Sequence, residues 1–162
     1  SYAGALGYPQ FLPSSLRHFG VDFDGDGQVN FDAAPADAIG SVANFLHRHG
    51  WQPGAPIAER ARFTTVTDPA PLIATGIEPA LTPEALLAAG ITTVQGQAPV
   101  ATATLVDLET PGTSTAYWLG YRNFYVLTRY NRSSFYAMSV FELAEALHAR
   151  RSIQLARSDP AR

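Results

Sequence analysis

The acidic run from residue 22 to residue 30 constrains the fold of this chain more than any other feature. It reads Asp-Phe-Asp-Gly-Asp-Gly-Gln-Val-Asn, so three carboxylates alternate strictly before a glycine. Calcium is a hard cation that takes roughly six to eight oxygen ligands, so a short loop must aim several side chains and a carbonyl at one point. The spacing therefore predicts the front half of an EF-hand-type calcium loop.

The positions within this loop predict what each residue does. We expect the ligands to be the carboxylates of Asp22, Asp24 and Asp26 and the carbonyl of Gln28. Gly27 would supply the sharp turn, because glycine adopts positive φ at little cost, and Asn30 sits where a contact through water is usual. The last position of the loop normally carries a bidentate glutamate. That position is Ala33 here, and Asp37 is the expected substitute if the residues between them form a turn.

Two other interpretations of the acidic run remain open. Aspartate and glycine are frequent turn residues, so the run could be a solvated turn without an ion. The same signature occurs in dockerin modules, which would make the chain a calcium-dependent protein-interaction domain. Dockerins carry two copies of the loop, whereas this chain has one.

Four further motifs occur in order along the chain. Residues 1–15 read SYAGALGYPQFLPSS, residues 37–46 read DAIGSVANFL, residues 123–131 read NFYVLTRYN and residues 136–138 read YAM. Together they resemble the signatures of the lytic murein transglycosylases of the B type. The resemblance covers residues 1–51 and 117–148 well and the middle of the chain loosely.

The fold class expected from this resemblance and from the sequence pattern is α+β. A mainly helical, lysozyme-like core, its carboxyl-terminal half, would carry the EF-hand-like calcium loop and a small inserted antiparallel β domain. We expect the core in residues 1–51 and 116–151, the insert in 52–115 and a frayed tail in 152–162. Apolar spacing and turn signals predict the elements within these parts. The expected helices are 13–19, 35–49, 82–90 and 133–151, and the expected strands are 57–63, 71–74, 91–94, 101–108 and 116–119.

The resemblance implies cleavage of the β-1,4 bond between N-acetylmuramic acid and N-acetylglucosamine in peptidoglycan, without water. Members of the family use one glutamic acid, first as general acid and then as general base, so that a 1,6-anhydro ring closes. The family places this residue in an E-[ST]-x-[FW]-G sequence, which this chain lacks. We therefore expect an active parent enzyme and an inactive fragment. The alternative is a non-catalytic, calcium-stabilised module that binds peptidoglycan.

Several residues match supporting positions of the family. The resemblance assigns Ser1 to a hydrogen bond with the missing glutamate, and Tyr130, Asn131 and Tyr136 to the cluster near the acid and the saccharide. It assigns Gln10, Phe11 and Phe45 to the substrate cleft. Tyrosine rings present apolar faces to sugar C–H groups, while amides and hydroxyls bind the polar substituents. Without the motif, the two tyrosines would be interpreted as core aromatics.

Composition excludes several classes of protein. The net charge of -3 leaves no basic surface for nucleic acid, and the lack of cysteine excludes disulfides and thiolate chemistry. The four histidines show no ligand spacing, so we expect them on the surface. Because the sequence opens within a motif, we expect a monomeric carboxyl-terminal part whose partners are peptidoglycan strands and the missing amino-terminal part. The resemblance implies the bacterial cell envelope, as a periplasmic protein, an outer-membrane lipoprotein or a secreted protein.

Overall fold

The computed structural model describes residues 4–33, 35–65 and 68–158 of the chain. The chain divides into two compact units, residues 1–51 and residues 52–162. Within the described ranges, no helix has both the length and the apolar character that a membrane span needs.

The first unit contains two helices, α1 (Pro13–Phe19) and α2 (Pro35–Arg48). Both begin where the sequence predicts, because proline fits the first helical turn. The acidic loop lies between them. Gly40 of α2 is where Phe23 of the loop packs, since a Cβ added at Gly40 would lie 2.6 Å from the ring. Only glycine allows the helix and the loop to approach this closely.

Aromatic side chains form the core of this unit. Phe11 meets Phe31 edge to face at 5.5 Å between ring centroids, and Phe19 meets Phe45 in the same way at 4.9 Å. Such edge-to-face pairs stabilise a core beyond the area that they bury. His49 stacks on Phe45 at 4.0 Å and is only partly exposed. The prediction that every histidine lies on the surface is therefore wrong for His49.

The second unit contains a four-stranded antiparallel sheet in the order β2-β1-β4-β3. Its strands are β1 (Ala58–Phe63), β2 (Ile91–Thr93), β3 (Thr104–Leu108) and β4 (Ala116–Gly120). β3 and β4 form the predicted hairpin, with Leu105 opposite Leu119. Both leucines are buried in the core cluster. β4 thus belongs to the sheet, which extends beyond the predicted insert boundary at residue 115, and the division into core and insert stays a prediction.

The helices of this unit are α3 (Ala70–Ile73), α4 (Pro83–Ala88), α5 (Arg122–Tyr130) and α6 (Ser134–Ser158). Thr82 caps α4 as expected, because its Oγ1 accepts a hydrogen bond from the N–H of Ala85 at 3.2 Å. The strand predicted at 71–74 is wrong. Asp68 accepts the N–H of Ala70 at 3.0 Å and starts a helical turn there instead.

The carboxyl-terminal helix is longer than predicted. α6 continues to Ser158, so the expected tail from residue 152 is helical over most of its length. The sequence between 152 and 158 contains no glycine or proline, and such a segment can extend a helix that is already nucleated. The predicted core positions Leu143 and Leu147 are 61% and 59% exposed, whereas Ala137 and Met138 are buried.

Asn123 on α5 ties this helix to the segment that precedes β1. It is fully buried, and its Oδ1 accepts the N–H of Gln52 at 2.8 Å. Its Nδ2 donates to the carbonyls of Gln52 at 2.8 Å and Ala55 at 3.1 Å. A buried amide that satisfies three backbone groups is costly to remove, because each group would lose its partner away from water.

Replacing Asn123 with alanine is therefore expected to lower the free energy of unfolding by about 3 kcal/mol. Urea denaturation followed by circular dichroism measures the change. Asn131→Ala is the matched control, because Asn131 is exposed, and it should change the free energy by less than about 0.5 kcal/mol. Equal effects of the two substitutions would contradict a stabilising role for the three Asn123 hydrogen bonds.

Candidate functional site

One face of α2 holds the acidic loop. Asp37, Ser41 and Asn44 recur at helical spacing, and each binds the backbone of the segment that precedes or forms the loop. Ser41 Oγ accepts the N–H of Val21 at 2.9 Å, and Asn44 Nδ2 donates to the carbonyl of Phe19 at 3.0 Å. The loop is therefore positioned by side chains of the helix that follows it.

Asp37 makes the most extensive of these contacts. Its side chain is fully buried, and its Oδ1 accepts the N–H groups of Phe23 at 2.8 Å and Asp24 at 3.3 Å. Its Oδ2 accepts the N–H of Asn30 at 2.9 Å. The hydrogen bonds from the Asn30 and Phe23 amides hold the pKa of Asp37 below its usual value, so the carboxylate stays charged. Oδ2 keeps a lone pair for a cation.

Two loop aspartates meet Asp37. Carboxylate oxygens of Asp22, Asp24 and Asp37 all lie within 4.8 Å of one another. The Asp26 N–H lowers the pKa of Asp24, but partial desolvation and repulsion by Asp37, Asp26 and Asp22 together raise it above its usual value. Carboxylates this close repel one another, and a divalent cation among them would relieve the repulsion.

The donor set fits a hard cation. It consists of oxygen atoms only, as calcium prefers, and Gly25 and Gly27 take the positive φ angles, 78° and 89°, of a tightly coiled loop. Asp37 belongs to the close group of carboxylates, and its assignment as the substitute for the absent glutamate stays a prediction. Asp26 lies outside the close group, and its Oδ1 accepts the N–H of Gln28 at 2.8 Å. For Asp26 and Gln28 the assignment as ligands stays a prediction.

The segment that precedes α1 forms a tight turn. Leu6 and Phe11 pair through an isolated antiparallel β-bridge. Gly7 packs closely against Phe31, because a Cβ added at Gly7 would lie 2.4 Å from the Phe31 Cβ. Gln10 at the tip has a φ of 51°, and its Nε2 donates to the carbonyl of Gly7 at 2.8 Å. Gln10 is exposed and lines an open depression of about 570 Å³ with Gly7, Tyr8 and Asp32.

The other predicted residues of the first unit have different surroundings. Phe11 and Phe45 are 3% and 7% exposed, so they support the turn from within the unit's core. Their contact with a sugar stays a prediction. Ser1 lies outside the residues that the structure describes.

Tyr130 and Tyr136 form a stacked pair of aromatic rings in the second unit. Tyr130 ends α5 and Tyr136 lies in the first turn of α6, and their rings stack at 6.3 Å with an interplanar angle of 8°. Burial, with a smaller contribution from Tyr136, raises the pKa of Tyr130 to about 12. Burial also raises the pKa of Tyr136 above its usual value. Both phenols are therefore neutral donors at physiological pH.

The turn between the two tyrosines carries further polar groups. Asn131 is the exposed C-cap of α5, and its carbonyl accepts the N–H of Ser133 at 2.7 Å. Ser133 Oγ accepts the N–H of Tyr136 at 3.2 Å and so caps α6. Sequence reasoning missed Arg129 and Arg132, which lie on either side of Tyr130 and Asn131. No motif of the sequence marked them as binding residues.

The chain is similar to known proteins in both sequence and structure. The family described as Transglycosylase SLT domain matches residues 1–145. Membrane-bound lytic murein transglycosylase B of Escherichia coli strain K12 is 44% identical over 147 residues, which are 91% of this chain and 39% of that protein. The Escherichia coli lytic transglycosylase SLT35 in complex with calcium has a TM-score of 0.79 at 43% identity, over 94% of this chain and 46% of its own.

A more distant structure also matches. SltB3 from Pseudomonas aeruginosa, in complex with NAG-NAM-pentapeptide, has a TM-score of 0.73 at 33% identity. The match covers 86% of this chain and 37% of that chain. The chain thus spans less than half the length of each of these relatives.

These matches define the class of fold as the lysozyme-like, mixed helical and sheet fold of lytic transglycosylases, which confirms the fold class predicted from the sequence. The chain belongs to the transglycosylase SLT domain family. The family suggested by the four sequence motifs is therefore confirmed.

The raised pKa of Tyr130 predicts its behaviour in alkaline titration. The folded chain holds this proton more tightly than the unfolded chain, whose tyrosines titrate near 10. The associated stability is complete below pH 10 and is lost as the pH rises towards 12. Ultraviolet titration of phenolate formation should resolve Tyr130 as a late step that Tyr130→Phe removes. Burial also raises the pKa of Tyr121 and of Tyr136, so their late steps should remain in the variant. Tyr8→Phe, at an exposed position, is the control, and a step near pH 12 that keeps its full amplitude in Tyr130→Phe would refute the assignment.

Proposed function

We propose that this chain is the calcium-stabilised, glycan-binding part of a peptidoglycan lytic transglycosylase. The observation that carries the proposal is the stacked pair Tyr130 and Tyr136 beside the exposed Asn131. The half-buried rings offer apolar faces to pyranose C–H groups, and their neutral hydroxyls and the amide offer hydrogen bonds to the N-acetyl groups and hydroxyls. The family and the names of the relatives support the same class of substrate.

The proposed reaction needs one carboxylic acid. That acid would protonate the glycosidic oxygen as the C–O bond breaks, and its conjugate base would then take the proton from the muramoyl C6 hydroxyl as the hydroxyl oxygen bonds to C1. The products are a 1,6-anhydromuramoyl end and a free hydroxyl on the leaving sugar. No second carboxylate is needed, unlike in the hydrolytic glycosidases.

We place this acid outside the 162 residues. Glu59 accepts the O–H of the buried Tyr121, and Glu78 pairs with Arg122 at 3.3 Å. Both therefore have structural partners, and the glutamate motif of the family is absent from the sequence. Within this proposal, Ser1 would orient the acid, and Gln10, supported by Phe11 and Phe45, would contact the substrate.

We also propose that the ion is a structural Ca²⁺. Asp22, Asp24 and Asp37 would bind it, with Asp26 and Gln28 completing the shell. The SLT35 structure in complex with calcium supports the choice of ion. The ion's chemistry would be to neutralise the crowded carboxylates and fix the loop. We expect the protein to act in the periplasm of the cell envelope as a monomer.

Removing calcium should lower the melting temperature of the chain. Because an ion that binds only the folded state stabilises it by RT ln(1 + [L]/Kd), calcium at about 100 times Kd contributes about 2.7 kcal/mol. Asp24→Asn should melt at the same temperature with and without chelator. Asp32→Asn, which also changes an acid of this region but lies outside the close group, should keep the calcium response. If chelator does not change the melting curve of the unsubstituted chain, the acidic run is a solvated turn without an ion.

Loss of a tyrosine face should weaken glycan binding. Tyr136→Ala is expected to reduce the affinity of the chain for purified glycan strands by up to about tenfold, because an aromatic contact contributes roughly 0.5–1.5 kcal/mol. Phe135→Ala removes the neighbouring exposed ring of the same helix and should leave the affinity within about twofold. Equal losses would argue against a specific role for Tyr136.

The products of the full-length polypeptide test the enzymatic part of the proposal. Mass spectrometry of digested peptidoglycan should show muropeptides with 1,6-anhydro ends, each lighter by one water than its hydrolysed counterpart. Products with reducing ends alone would refute transglycosylation. Glycan binding without any cleavage would instead favour the non-catalytic module.

A further inference from the structure

The second unit has a cavity at the turn between α5 and α6. Its volume is about 400 Å³, within the usual range for sites that bind small ligands. The lining residues are Ile77, Thr128, Arg129, Arg132, Ser133 and Ser134. The wall therefore contains two guanidinium groups, three hydroxyl groups and one apolar side chain, and no acidic residue.

Among the residues that the structure describes, neither arginine of this cavity forms an ion pair. In the described part of the chain, the one ion pair joins Arg122 to Glu78 at 3.3 Å. Glu78 follows Ile77 of the cavity wall, so the acid nearest in sequence to that wall is already paired with another arginine. The Arg129 guanidinium lies 5.8 Å from the Tyr125 ring, a contact that orients the group without neutralising its charge.

The start of α6 adds donors to the same wall. Ser133 and Ser134 line the cavity, and Ser133 Oγ satisfies the N–H of Tyr136. The N–H groups of Ser134 and Phe135 lie too early in the helix for an intrahelical acceptor. Two cationic forks with nearby hydroxyl and amide donors match the two oxygens of a carboxylate, which arginine binds with paired hydrogen bonds.

We propose that this cavity binds a carboxylate of the peptide carried by the muramoyl residue. The inference rests on the proposed function, because the same turn carries Asn131 and is flanked by Tyr130 and Tyr136. A sugar held by the tyrosines would bring its peptide substituent to this part of the unit. Peptide carboxylates are the anionic groups that such a substrate supplies, and the related SltB3 has been solved with a pentapeptide-bearing disaccharide. Arg129 and Arg132 would thus set a preference for glycan that bears peptide.

The test is a set of nuclear magnetic resonance titrations of the 162-residue chain. The probes are NAG-NAM-pentapeptide, the same disaccharide without peptide, the free pentapeptide and inorganic phosphate. We expect the peptide-bearing disaccharide to bind about fivefold or more tightly than the peptide-free one, with shifts at the Ser133 and Ser134 amides. Arg132→Gln and Arg129→Gln should each lower the affinity for the peptide-bearing disaccharide about fivefold. This change corresponds to about 1 kcal/mol, as expected for an exposed ion pair.

A matched control accompanies these variants. Arg150→Gln removes an exposed arginine farther along α6 and should leave every affinity unchanged. The affinity for the peptide-free disaccharide should be the same in all variants. Equal affinities for the two disaccharides, or a double arginine variant that keeps the preference, would overturn the proposal. Saturation by phosphate at the concentration that the free pentapeptide requires would overturn the assignment to a peptide carboxylate.

The proposed function and this inference fail in different ways. Shifts at Ser133 and Ser134 with the free pentapeptide, lost in the arginine variants, would uphold the cavity even if the peptide-free disaccharide does not bind. Binding of the peptide-free disaccharide at Tyr130 and Tyr136, with no response to peptide, would uphold glycan binding and overturn the cavity assignment.

Discussion

The buried carboxylate of Asp37 is the interaction on which the first unit depends. Three loop amides donate to it, and it accepts them from the first turn of α2, where the helix dipole also favours negative charge. Ser41 and Asn44 continue the same helix face and hold the backbone before the loop. The backbone of the loop is therefore held by side chains of α2.

In the second unit, the neutral amide of Asn123 anchors backbone segments in the same way as the Asp37 carboxylate does in the first. Asn123 fixes α5 to the segment before β1 through three hydrogen bonds and carries no charge into the core. These hydrogen bonds fix the position of α5, and Tyr130 is the last residue of this helix. Ser133 then starts α6 and sets the position of Tyr136. The parallel arrangement of the two rings is thus a consequence of backbone anchoring and not of the tyrosines alone.

Sequence reasoning reached the elements whose signals are local. The prolines at the starts of α1, α2 and α4 and the Thr82 cap mark helix ends, and the Thr-Pro-Gly turn marks the hairpin. It failed where non-local packing decides. Residues 71–74 have strand-like composition, but the Asp68 side chain accepts the N–H of Ala70 where a helical turn begins. Leu143 and Leu147 have core spacing, but the buried face of their helix within the described residues is Ala137 and Met138. Asp37 was predicted as a ligand because the loop lacked one, and that assignment stays a prediction. The cavity at Arg129 and Arg132 could not be predicted, because no motif records the absence of an acid.

The charged and titratable groups of this chain fit the proposal that binding and proton transfer use different groups. A transglycosylase that recruits the substrate's own hydroxyl needs one group that titrates near the working pH, and every other group near the sugar is best kept in a fixed protonation state. The phenols of Tyr130 and Tyr136 have pKa values raised well above neutrality, and the guanidinium groups beside them are permanently charged. In the proposed function, this region would hold and orient the glycan without exchanging protons. A second carboxylate beside the tyrosines would instead raise the pKa of the acid and invite water activation. Among the described residues, most acids lie in or near the acidic loop, in structural pairs such as Glu59 with Tyr121, or on exposed surface. This distribution suits the proposed function, in which the chain would bind glycan while the proton transfer would occur on another segment.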